Sequence, residues 1–404
     1  MTELNRLPII VAGTGPAGLI AALALAERNE PVVLVGPKAA GQGDRRTTAI
    51  MGASLMLLDR LGLTDALASE AAPLKTMRIL DATSRLVRAP TVTFRASEIG
   101  EEFFGLNIPN AHLNAVLEEA VARQKLIQRH EALVTEWLPV DDHVSAMLDD
   151  GTVVKASLAI AADGRNSPAR EAAGIRTSRR DLPQTAVVLN FQHARPHQDI
   201  STEFHTETGP FTQVPLPGNR SSLVWVVRPE TADELMHVDD DTLSMRIEER
   251  MQSMLGRVKV EAGRQAYPLA SVLPHRYAAN RIMLVGEAGH VFAPIGAQGL
   301  NLGIRDVECV VDIVASHPSD PGAQAALAAY DLRRRPDVTA RSGTVALLNR
   351  SLLSDLLPWQ LARSAGLGVV EAIPPLRAFL MREGMRPGTG LSGFFRRSPE
   401  QVGR

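Results

Sequence analysis

The chain has 404 residues, 45% hydrophobic and 22% charged, an ordinary globular balance, and its length predicts two intimately joined domains. A formal net charge of −2 offers no attraction to nucleic acid, which is not expected as a partner. A single cysteine, Cys309, excludes an internal disulfide, a CxxC pair and a thiolate zinc site, so redox chemistry must come from a bound cofactor; no metal is expected, and reducing cytoplasm is the natural compartment.

The first elements predicted are a strand (Leu7–Ala12), a glycine turn, a helix (Pro16–Arg28) and a valine-rich strand (Pro31–Val35). The apolar run Leu7–Ala26 has the length of a membrane span. Gly13, Gly15, Pro16 and Gly18 break it, and Glu3 precedes it where a secretion signal wants basic residues, so strand, turn and helix are expected instead. In Gly13-Thr14-Gly15-Pro16-Ala17-Gly18 the first glycine suits a tight turn, the second lets backbone approach a pyrophosphate, and the third lets helix pack on strand. The helix start then offers unpaired amides and a positive dipole end to the anion. GxGxxG alone is weak; its place between strand and helix makes it a dinucleotide signal. The acidic residue that should end the second strand and hold the adenosine ribose is missing from Val35-Gly36-Pro37.

Farther along, Asn110 is expected to cap an amphipathic helix with Leu113, Leu117, Ala120 and Val121 on one face. Val144–Ile160, with Asp149-Asp150-Gly151 at its middle, predicts a hairpin returning to the sheet. The segment Ala161–Arg170, with Asp163-Gly164, is by itself as compatible with a plain turn as with a site. A β-rich section from Leu182 to Pro229 contains Ala186–Phe191 and Ser222–Val227 and the histidines His193, His197 and His205, each more readily structural than catalytic. Strand Arg281–Val285 resumes the α/β pattern. After it come Gly286-Glu287, His290, Pro294, Gly296, Gln298-Gly299-Leu300-Asn301 and Gly303 to Asp306, a glycine-rich loop running into a helix from Leu300 to about Ala315. Glu287 at the strand end can accept from ribityl hydroxyls. Amides at the helix start can face the pyrimidine edge of an isoalloxazine. From about Thr344 the chain reads as helical and rich in leucine and arginine.

Taken together, the segments at Gly13–Gly18, Ala161–Arg170 and Gly286–Asp306 resemble the class A flavoprotein monooxygenases of the para-hydroxybenzoate hydroxylase type. They are similar to that family's ADP-binding turn, its DG motif and its GD motif, with Glu287 in place of the usual aspartate. Arg45–Ile50 resembles the family's arginine segment and implies Arg46 near the flavin, and Asn110 matches a polar residue at the next helix start. The third segment and the tail Gly368–Arg386 are most similar to the ubiquinone-biosynthesis hydroxylases. The resemblance is weakest over 179–275.

It implies an α/β fold: a Rossmann-like FAD-binding domain from 1–75, 100–178 and 276–343, an inserted, mainly antiparallel β substrate domain from 76–99 and 179–275, and C-terminal helices over 344–404. The implied cofactor is FAD, held by Gly13, Gly15, Ala17, Gly18, Arg46, Asn110, Asp163, Gly164, Glu287, Pro294, Gly296, Gln298, Gly299, Leu300 and Asn301, with NAD(P)H as electron donor. The implied reaction hydroxylates an aromatic ring with dioxygen through a flavin C4a-hydroperoxide, on a polyprenylated phenol in ubiquinone assembly. Two other readings stay open: a hydroxylase of a small soluble aromatic, and a flavin-containing reductase or assembly subunit. No catalytic base is singled out. The segment Arg350–Arg404 holds eight arginines, no lysine and four acids, a net +4 in a chain of −2. It also holds the apolar pairs Leu352-Leu353 and Leu356-Leu357 and apolar residues beside the arginines, so it is expected either to dock on an anionic inner-membrane face or partner proteins there, or to pack on the FAD domain.

Overall fold

The computed structural model describes residues 6–38, 44–85, 87–292, 298–353 and 357–385. Strand β1 (Ile9–Ala12), helix α1 (Pro16–Glu27) and strand β2 (Val32–Val35) open the chain. Strand β3 (Thr47–Met51) runs into helix α2 (Gly52–Arg60), and helix α3 (Asn110–Arg123) follows later. Strand β4 (Leu158–Ala161) returns to β1. The remaining long helices are α4 (Gln298–Ser316), α5 (Gln324–Leu353), α6 (Leu357–Ala372) and α7 (Pro374–Met385).

A six-stranded sheet runs in the order Ala278–Ala279, Ile282–Leu284, β4, β1, β2, Ile127–His130, parallel except at the first pair. Ile9 stands level with Val32 on one side and Leu158 on the other. All residues of β1, β2 and β4 are buried, as apolar strands covered on both faces must be. Helix α1 is buried from Gly18 to Ala26 and lies against α3 and α4. Apolar on every side, it can only be a core helix, which removes the bilayer reading of this stretch.

The second body is an eight-stranded sheet, antiparallel except where Thr76–Asp81 runs parallel to Ile200–Thr206. It also takes in Val92–Arg95, Thr177–His193, Gly209–Leu216, Arg220–Val227, Val258–Val260 and Gln265–Pro274. Helices Pro229–His237 and Asp240–Arg250 cover one face, over a core where Phe211 meets Phe204 and Trp225 edge to face with centroids 5.6 and 5.1 Å apart. Strand Thr177–His193 is 17 residues long, far beyond the Ala186–Phe191 read from apolar content. Its first half carries exposed Arg179 and Arg180 and is held as strand by pairing with Gln265–Pro274.

Three expectations need adjustment. The hairpin Val144–Leu148 with Val153–Ala156 does not join the main sheet; it pairs with Val134–Pro139 in a separate three-stranded sheet, and the chain re-enters the main sheet only at Leu158. Asn110 is the first residue of α3, preceded by Pro109, and its side chain caps nothing. The C-terminal helical region begins well before Thr344, because α5 is continuous through that position. Beyond it, Ser364–Ala372 and α7 meet at 101°, where Pro374 starts a new helix. Among the described residues no single helix is long and apolar enough to cross a membrane.

Candidate active site

Each glycine of the first turn answers a different constraint. At Gly13 the backbone has φ +113°, and a Cβ there would sit 2.1 Å from the Ala162 carbonyl oxygen, so β1 and β4 exclude any side chain. A Cβ at Gly18 would lie 2.0 Å from the Gly13 carbonyl oxygen, which is the close helix–strand contact the motif requires. Gly15 precedes the first turn of α1, and a Cβ there would touch no protein atom within 4 Å. Protein packing therefore does not call for glycine at position 15, and the helix start there is open to an anion.

The second segment closes on the first and third. Ala162 donates to the Ala12 carbonyl at 2.7 Å, carrying Asp163 to the end of β1. One Asp163 oxygen accepts from the Ala169 amide at 3.1 Å; the other is buried with no partner. Burial pushes the Asp163 carboxyl above its ordinary value, against the bonds from Ser167 and Ala169 that favour its charge. Gly164 turns the chain at φ +87° with open space around it. Buried Arg170 donates to the Ala288 carbonyl at 2.9 Å, and Arg165 lies 3.5 Å from half-exposed Glu287.

Glu287 lies in a single 3-10 turn, Gly286–Ala288, directly after strand Ile282–Leu284. A Cβ at Gly286 would sit 3.1 Å from Ala17, and one at Gly303 would sit 3.3 Å from Gly286 Cα, so α4 is drawn against the first glycine turn. Gln298 opens α4, and exposed Gly299 and half-buried Leu300 follow in its first turn, whose amides have no partner inside the helix. Pro294 and Gly296 lie outside the described residues.

Asn301 faces the protein. Its amide donates to the Ala49 carbonyl at 2.7 Å and accepts from the Met51 amide at 2.9 Å, clamping β3 to the head of α4. At the start of β3, Arg46 is paired with Asp44 at 2.8 Å and its guanidinium lies over the Tyr267 ring, 5.3 Å from the centroid. Asn110 accepts from Thr48 at 2.7 Å and donates to Asp44 at 3.2 Å. Burial alone would raise the Asp44 carboxyl; the bonds from Arg46 and Asn110 outweigh it and hold the group below its ordinary value. Asn110 and Arg46 are thus joined through Asp44, a residue the sequence reading passed over. Tyr267, 221 positions after Arg46, carries no local signal of this contact.

The histidines are engaged internally. His193 lies between the Arg195 carbonyl at 2.8 Å and Ser221 at 3.0 Å, His197 meets the Leu216 carbonyl at 2.9 Å, and His205 meets Glu203 at 2.9 Å. His290 is buried 2.7 Å from Asp306, which also takes the Gly286 amide at 2.9 Å and Arg334 at 2.8 Å. Arg170 and Asp306 thus brace the glycine segments from behind, and both stand inside the stretches that drew attention in the sequence.

Open space at Gly15, an orphaned carboxylate oxygen at Asp163 and helix-start amides at Gly299 and Leu300 that have no partner inside the helix fit a dinucleotide flavin lying from α1 to α4. Fold and site define an FAD-dependent aromatic monooxygenase. The model of the FAD binding domain family matches residues 6–342. Ubiquinone hydroxylase UbiL of Rhodospirillum rubrum is 36% identical, over 93% of this chain and 89% of its own length. The 3-demethoxyubiquinol 3-hydroxylase of Escherichia coli is 29% identical over 95% and 98%. Among solved structures, Pseudomonas aeruginosa PqsL superposes with TM-score 0.77 at 21% identity, covering 90% of this chain and all of that one. A Klebsiella pneumoniae HpxO variant complexed with FAD gives 0.75 at 19%, covering 95% and 99%. The chain belongs to the FAD binding domain family and, within it, to the ubiquinone-biosynthesis hydroxylases.

Proposed function

We propose that this protein hydroxylates the aromatic ring of a polyprenylated phenol during ubiquinone assembly. The observation that carries the reading is the three-way closure at the glycine turn, where Ala162 limits Gly13, Ala17 limits Gly286 and Arg170 ties to Ala288 around an open cradle at Gly15. Likeness to proteins named as ubiquinone hydroxylases over nearly the whole chain gives the substrate class. Bound FAD, reduced by NAD(P)H, supplies activated oxygen for an electron-rich ring. The chain's part is to bind and orient. The start of α1 would hold the pyrophosphate and Glu287 the ribityl hydroxyls. The start of α4 would stabilise negative charge at the pyrimidine edge. Arg46, fixed between Asp44 and Tyr267, would be a positioned cation beside the ring. Denaturing the purified protein should release FAD, and a strain lacking the protein should accumulate a prenylated ring precursor in lipid-extract mass spectrometry. A protein that takes up no FAD from excess, or a lipid profile unchanged by deletion, would overturn the reading.

The enzyme is proposed to meet this substrate at the membrane surface through its C-terminal helices. Leu361 and Val369 on α6, Ile373 at the break between the helices and Leu380 on α7 are exposed, in the arginine-rich end of the chain. Apolar side chains beside basic ones suit the interface of an anionic bilayer. The other sides of these helices are fastened to the protein: Arg377 pairs with Glu98 at 2.9 Å and Ser364 donates to the Arg88 carbonyl at 3.1 Å. Truncation before Arg350 would remove these contacts too, so the cleaner test is Val369→Asp with Ile373→Asp, which should lower flotation with anionic liposomes and leave FAD content unchanged. Flotation equal to that of the unaltered chain would defeat the docking idea.

A further inference from the structure

Beneath β3 lies a cavity of about 270 Å³, open to one side and bounded by α2, α4, the edge strands of the second sheet and α7. Its walls are mainly apolar and rich in methionine: Met51, Met77, Phe94, Phe104, Met381 and Met385. Arg305 and Arg341 also reach it, and both close on Asp337 at 3.1 Å, so their charge is partnered within the protein. The inner wall includes Met51 at the end of β3 and Asn301 and Leu302 at the head of α4, the helix start proposed above to meet the flavin ring. At the outer end stands Leu380, which lines the cavity and is also 41% exposed, alongside the apolar surface of α6 and α7. The cavity therefore extends from the proposed membrane face to the head of α4.

The wall chemistry selects the occupant. Flexible methionines and phenylalanines adapt to an irregular, branched hydrocarbon and offer little to a polar ligand. A dry cavity of ~150 Å³ accepts benzene, so one of this size has room for roughly ten carbons, or about two isoprene units. We propose that this cavity seats the ring-proximal isoprene units of the substrate's tail, and that the rest of the tail leaves beside Leu380 into the bilayer. The proposal rests on the reading of the substrate as a polyprenylated phenol.

Gly384 gives the test. It lines the cavity, and a Cβ there would meet no atom within 4 Å, so Gly384→Leu fills space without disturbing the helix. Holoenzyme is assayed on phenols bearing zero to four isoprene units. For the unaltered chain kcat/KM should rise about tenfold for each of the first two units and then level off. Gly384→Leu should abolish that rise and leave tail-free turnover within about twofold. Unchanged length dependence in the variant, or equal loss on every substrate, overturns the proposal while the substrate reading stands. Failure of the unaltered holoenzyme on every prenylphenol would instead bring down the substrate reading itself. A geranyl-length phenol carrying a diazirine, photolysed with the unaltered holoenzyme, should label 374–385 or 76–81; label confined elsewhere overturns the proposal.

Discussion

The two sheets of this protein bury different things. In the parallel sheet β1, β2 and β4 are buried throughout and contain no polar side chain, and the chain's freedom to approach a ligand is set by missing Cβ atoms. The antiparallel sheet buries Asn190, His193, Thr202, Gln213, Ser221 and Ser222, and satisfies part of them internally, as where His193 and Gln213 both reach Ser221. One body is specified by backbone clearance and the other by side-chain pairing.

The sharpest way to break this comparison is at the one polar knot behind the parallel sheet. Asp306→Ala would leave Arg334, whose side chain is 5% exposed, without its buried partner and strip the Gly286 amide and His290 of theirs. A loss of about 3–5 kcal/mol in chemical denaturation is expected. If the loss is below about 1 kcal/mol, the knot is ornament and packing alone holds the loop. Next in size is a pair of glycine replacements. Gly18→Ala drives a methyl to 2.0 Å from the Gly13 carbonyl oxygen and should cost the apoprotein about 3 kcal/mol. Gly15→Val meets no protein atom, so it should cost the apoprotein less than about 1 kcal/mol yet abolish FAD uptake. Equal effects of the two on stability would mean that the cradle is set by protein packing and not by ligand.

The smallest effect sharpens the same point through pH. The Asp163 carboxyl sits above its ordinary value of 3.8 because it is buried, so folding favours its protonated form. That preference contributes stability at low pH and loses it as pH rises through the folded value. Asp163→Asn should therefore make the apoprotein more stable than the unaltered chain at pH 7, with the advantage vanishing toward pH 4 in thermal melts. The same variant should bind FAD more weakly and be reduced more slowly by NAD(P)H.

Why one body was readable and the other was not follows from these residues. Gly13 and Gly18 are dictated by carbonyl oxygens 2.1 and 2.0 Å from where a Cβ would sit, and Gly286 by its φ of +62°, so residue type alone betrays the geometry. The arginine segment was readable as position but not as partnership, because Asp44 is close in sequence while Tyr267 comes from the far end of the other sheet. The polar first half of Thr177–His193 looks like loop because its strand character comes from pairing with Gln265–Pro274, a non-local fact. Asn110 was misread for a similar reason: a helix-start asparagine ordinarily bonds its own amides, and here Thr48 and Asp44 compete successfully for it.

Pro336 stands inside α5, whose two ends are fastened to different bodies. Ahead of it, Tyr330 donates to the Leu284 carbonyl at 2.7 Å and Arg334 grips Asp306, anchoring that stretch to the parallel sheet. Behind it, Arg341 reaches the cavity and Asn349 exchanges bonds with Gln184 of the antiparallel sheet. Proline removes one rung of the helical ladder and crowds the carbonyl of Leu332 a turn earlier. The longest helix among the described residues therefore starts in one body and ends in the other, a beam laid across both.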